Sequence, residues 1–154
     1  MGLRTILATM AALAAALGAP QSAGAGNLSQ DEQVRRLDIM LMVTSLRCRM
    51  GADDFQPAYR QFTAAHLTAL NASARRLEQS MVARYGARGA KRALDRISVG
   101  MANEYGQGHP WLSCAELKQV AGDLARSRDP QALNLAASEL LGSMPRSGSR
   151  WARR

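Results

Sequence analysis

The sequence predicts an all-α fold, a single-domain bundle of about five helices pinned by one disulfide. Apolar residues recur at three- and four-residue spacing along most of the chain, as on the buried face of a helix, and no run alternates as a strand would. Start and stop signals punctuate those runs. Ser29 with Glu32 and Ser113 with Glu116 have the spacing of capping boxes, and Gly51, Gly86 and Gly142 each follow an apolar run. The two cysteines, Cys48 and Cys114, fall at the end of one run and the start of another.

The first helix is expected from Gln30 to about Met50, with Val34, Leu37, Leu41, Thr44 and Cys48 on one face. Ile39, Met40, Met42, Val43 and Leu46 lie outside that stripe, which makes this the candidate central helix. Asp53 or Asp54 caps a second helix with Pro57 in its first turn, and a stripe through Phe62, His66, Leu70, Leu77 and Met81 carries it to Gly86. Gly86 and Gly89 mark a short connection to a third helix bearing Leu94, Ile97, Met101 and Tyr105, in which Gly100 marks close packing.

Gly106 and Gly108 end that helix, and Pro110 biases His109 away from α geometry. Ser113 and Glu116, with Leu112 and Leu117 as a hydrophobic staple, then open a fourth helix faced by Val120, Ala121 and Leu124. Asp129-Pro130 starts a short fifth one.

The ends of the chain read differently. Residues 1–25 have one charge at Arg4, an apolar run from Ile6 to Leu17 and the small residues Ala23-Gly-Ala25, the pattern of a cleavable signal peptide. The run falls short of the roughly 20 residues needed to span a bilayer. The mature chain is therefore expected to begin near Gly26, with a helical domain over 26–142, a disordered basic tail over 143–154 and a periplasmic location. Export permits a disulfide, so Cys48 and Cys114 are expected to bond to each other, the alternative being two separately buried thiols.

The formal charge of +8 becomes +7 without Arg4, and Arg146, Arg150, Arg153 and Arg154 supply four of those units. The body is then only mildly basic, and nucleic acid is an unexpected partner. Trp151 among the tail arginines suits weak contact with an anionic surface.

Chemistry is sparse. There is no GxSxG, HExxH, Walker A or GxGxxG pattern, so no cofactor, metal or catalytic residue is assigned. A metal site would need His66 and His109 to meet, with Asp53, Asp54 or Glu104 completing it. The residues carried forward as binding candidates are Tyr105, His109 and Trp111 in the turn, with His66 on the apolar face of the second helix.

Leu46-Arg-Cys-Arg-Met-Gly-Ala-Asp-Asp-Phe55, Met101-Ala-Asn-Glu-Tyr-Gly106 and His109-Pro-Trp-Leu-Ser-Cys114, within Leu37 to Ala121, resemble a group of small exported helical proteins of Gram-negative bacteria. The resemblance implies no activity. Some of those proteins carry an adenosylhomocysteine hydrolase label, which a chain with an export leader and no dinucleotide fingerprint does not support. The functional expectation is a periplasmic or secreted helical binding or interaction protein. It acts through the His109-Pro110-Trp111 turn or a groove of the bundle, on a periplasmic protein or an envelope component. The alternative is a small periplasmic enzyme with a site around His66 or His109, Tyr59 and the acidic residues near Asp53 joining the first of these.

Overall fold

The structure, a computed structural model, describes residues 29–141. At its start the Ser29 side chain accepts from the Glu32 amide at 3.2 Å, and Asp31 and Glu32 place negative charge in the first turn. The helix this opens, α1, runs over Gln30–Arg47. Val34, Leu37, Ile39, Met40 and Leu41 are all buried, so it presents apolar side chains in several directions, as a helix packed on more than one side must. Helices from every later part of the chain lie against it. Its last turn tightens into a 3-10 turn over Cys48–Met50, and Gly51 is extended.

Asp54 caps the next element by accepting from the Gln56 amide at 3.0 Å. This element, α2, spans Gln56–Glu104 and corrects the expected helix count: the described residues hold four helices rather than five, with no strand. The expected second and third helices are joined without a loop. Only Gly86 leaves helical geometry, at φ 66 and ψ 167. That left-handed φ is cheap only for glycine.

One such residue is enough to turn the chain back. Arg76 reaches Asp31 and Ser98 accepts from Arg35, so residues 22 apart on α2 meet α1 one turn apart. A straight helix would separate them by about 33 Å. The two arms of α2 therefore form a hairpin with Gly86 at its tip. Gly89 belongs to the second arm rather than to a connection, and a Cβ there would come within 2.9 Å of the Tyr85 Cβ. Gly100 does not mark close packing, since a Cβ there would meet nothing within 4 Å.

The third helix, α3, covers Cys114–Arg126 and opens with the full capping box, Ser113 and Glu116 each satisfying the other's amide. Asp129 caps α4, Pro130–Leu140, by accepting from Gln131. The core lies between α1, the first arm of α2 and these two shorter helices, with Leu37, Met40, Phe55, Phe62, Leu117 and Leu140 almost wholly buried. Each such side chain contributes roughly 1.5–3 kcal/mol of transfer free energy.

Cys48 and Cys114 are bonded, with Cα atoms 5.8 Å apart. The bond joins the end of α1 to the first residue of α3 across 66 residues of sequence, and closing a loop of that length stabilises the fold by roughly 4 kcal/mol on a chain-entropy account. No helix among the described residues is long and apolar enough to cross a membrane. The expected leader and the basic tail with Trp151 lie outside the described residues.

Candidate functional site

Three of the four candidate residues come together where α2 hands over to α3. Tyr105 is buried, its ring stacks on His109 at 6.2 Å, and Trp111 meets His109 edge-on at 4.5 Å. His109 uses both ring nitrogens. Nε2 lies 3.0 Å from the Leu140 carbonyl at the end of α4, while Nδ1 faces the amides of Leu112 at 3.2 Å and Trp111 at 3.4 Å.

A carbonyl on one side and two N–H donors on the other assign the neutral Nε2–H tautomer. Burial lowers the imidazole's pKa from its ordinary value, and the Leu140 carbonyl and the charge of Glu116 only partly oppose this. A protonated Nδ1 would point a third donor at two donors. The ring thus clasps the last carbonyl of α4, an orphan of the helix end, to the turn. Behind it Arg36 and Glu104 pair beside Tyr105, and burial is the first cause that raises the Tyr105 pKa.

His66 is not part of this group. It is buried against Phe62, ring centroids 5.4 Å apart, with Nε2 2.8 Å from the Leu124 carbonyl near the end of α3. Each histidine therefore ties a different helix end into the bundle, and they do not meet around a metal. Among the described residues no three His, Cys, Asp or Glu side chains gather as a metal site requires.

Tyr59 also has a different partner from the one expected. Its hydroxyl donates to Asp38 Oδ1 at 3.0 Å, not to an acid near Asp53. Arg35 reaches Asp38 Oδ2 at 3.5 Å and gives two hydrogen bonds of 3.3 Å to Ser98 Oγ. The network fastens α1 to both arms of α2. Burial raises the Asp38 pKa against the lowering effects of Tyr59 and Arg35, and burial followed by the Asp38 charge pushes the Tyr59 phenol up. Nothing in the sequence flags this set, because Asp38 and Tyr59 carry no motif and lie 21 residues apart.

The α2 hairpin tip is the region that sequence reasoning missed. Between Glu78 and Asp95 there is no acidic residue, and Arg84, Arg88, Lys91 and Arg92 fall in that interval. Counting residues 75–96, seven basic and two acidic side chains leave +5; the described body, with fifteen basic and twelve acidic residues, carries +3. The tip thus holds more than the body's whole excess of positive charge. Arg76 pairs with Asp31. Arg75, Arg84, Arg88, Lys91, Arg92 and Arg96 are exposed, and none has an ion-pair partner among the described residues.

The arms do not close completely here. A cavity of about 370 Å³ opens between Ser80, Met81, Arg84 and Tyr85 on the first arm and Ala93, Arg96 and Ile97 on the second. The Arg84 guanidinium stands 5.2 Å from the centre of the Tyr85 ring, within cation–π range. One signal was available in the sequence: Arg88, Arg92 and Arg96 repeat at four-residue spacing, which on one helix face is a row of like charges that disfavours the helix.

Compared with known proteins, the chain matches no family model, no curated protein and no solved structure.

Proposed function

We propose that this chain is a non-catalytic binding protein, exported to the periplasm by its leader, whose ligand surface is the tip of the α2 hairpin and whose ligands are anionic. The observation that carries this reading is the set of exposed cationic side chains on the two arms with no ion pair among the described residues, two of which, Arg84 and Arg96, line the cavity between the arms. Two features support it. Both histidines are engaged by backbone groups, so neither stands ready as a base or ligand. The disulfide suits an oxidising compartment, in keeping with the leader and with the resemblance to small exported helical proteins. In this reading Tyr105, His109 and Trp111 hold the far end of the bundle together and do not touch the ligand.

The test uses the full mature chain on immobilised heparin, a sulfated polysaccharide. Arg84→Ser with Arg96→Ser is expected to lower the salt needed for release more than serine at Arg146, Arg150, Arg153 and Arg154 does. Equal release of wild type and the tip variant would remove the reading.

A further inference from the structure

We propose that the partner at the hairpin tip is the anionic headgroup face of a phospholipid bilayer, on which the tip docks peripherally. This rests on the anionic-ligand reading above and narrows it. Charge alone would suit any polyanion, but the tip also exposes apolar side chains. Val82 and Tyr85, the latter next to the turn, are 40% and 47% exposed, and Met81 and Ile97 line the cavity between the arms.

A soluble polymer of phosphates or sulfates offers no acyl chain to these groups, whereas the headgroup region offers phosphate to the arginines and the first acyl carbons to the apolar side chains. Tyrosine, with an apolar ring and a polar hydroxyl, suits that boundary. Arginine matches phosphate oxygens with two parallel hydrogen bonds. Arg84 and Arg96 line the cavity from facing arms and Met81 and Ile97 line it with them, a combination fit for one phosphate and the chain beneath it. A second copy of this protein is disfavoured as the occupant, because two tips of +5 would repel.

Each basic residue held near an anionic surface strengthens binding about fivefold. Full-length mature protein is sedimented with vesicles of equimolar phosphatidylglycerol and phosphatidylcholine, and with vesicles of phosphatidylcholine alone. Wild type is expected to sediment with the former and not the latter. Arg84→Ser, Arg88→Ser and Arg92→Ser together are expected to weaken that binding by roughly a hundredfold, and serine at the four tail arginines to leave most of it.

The deciding variant is Val82→Ser, which keeps every charge and changes no residue that lines the cavity. It should lose vesicle binding at least fivefold while its release from heparin is unchanged, with thermal melting by circular dichroism confirming that it folds. Unchanged vesicle binding by this variant would overturn the bilayer proposal. Retention on heparin or short duplex DNA without vesicle binding would also overturn it and leave the anionic-ligand reading standing. Binding to none of these probes would end both.

Discussion

Where α2 meets α3, His109 engages three backbone groups, Ser113 and Glu116 satisfy each other, and the disulfide holds the neighbouring helix ends. At the opposite end, around Gly86, six cationic side chains stand in solvent without an ion pair among the described residues, and the arms leave a cavity between them. The first arrangement is what stability selects: buried polar groups matched, chain ends tied down. The second contributes little to folding and, by its like-charge row, works against it. In the proposed reading the clasped end secures the structure and the open tip meets the ligand, and substitutions should separate the two.

The largest effect is expected at the clasped end. Replacing Cys48 and Cys114 by serine should cost about 4 kcal/mol and move the urea midpoint far down, with heparin binding intact wherever the protein remains folded. A midpoint unchanged by the double substitution would show that packing alone secures that end.

His109→Ala should cost about 1–3 kcal/mol, because it leaves the Leu140 carbonyl and two amides without their protein partner. The same residue makes a pH prediction. Its folded pKa is lowered from 6.5, so below that pH the unfolded state takes up a proton that the folded state resists. Stability should therefore be fully present above pH 6.5 and decline as pH falls through and below it, levelling once the folded form also protonates. His109→Gln should flatten that segment of the profile, measured by denaturation at a series of pH values.

At the tip, Gly86→Ala should cost about 1–3 kcal/mol through its backbone conformation alone, since φ 66 with ψ 167 is a region kept almost wholly to glycine and an added Cβ meets no atom within 4 Å. A larger loss in thermal melting would mean that the tip is packed more tightly than its open surroundings indicate.

The smallest effect has the opposite sign. Arg92→Gln removes two like-charge neighbours, Arg88 and Arg96, and should stabilise the protein by a few tenths of a kcal/mol while weakening heparin binding. Destabilisation by this change would contradict the contrast between the two ends.

Much of the clasped end was legible in advance. Capping at Ser113 and Asp129, the turn at Pro110 and the helical faces through Leu37, Phe62 and Leu117 are local patterns, written in residues three or four apart. The cysteine pairing was expected from the count of two, given an expected export. The separation of His66 from His109 was not legible, since it depends on which helix ends fold against which. The Asp38–Tyr59–Arg35–Ser98 network was equally hidden, joining residues up to 63 apart. The tip was missed for another reason: charge averaged over the body gave a mild +3 and concealed a local +5.

By itself, then, the sequence pointed to the all-α class, the helix starts at Ser29, Ser113 and Asp129, the central position of α1 and a bond between Cys48 and Cys114, because each depends on nearby residues or on simple counting. The tertiary structure alone decided that the second and third apolar runs are one element folded at Gly86, that the histidines serve different helix ends, and that the basic residues crowd one hairpin tip. Those outcomes depend on which surfaces meet. A single glycine of positive φ, marked in the sequence only as a break between two apolar runs, brings Arg84 and Arg96 to the two sides of one cavity.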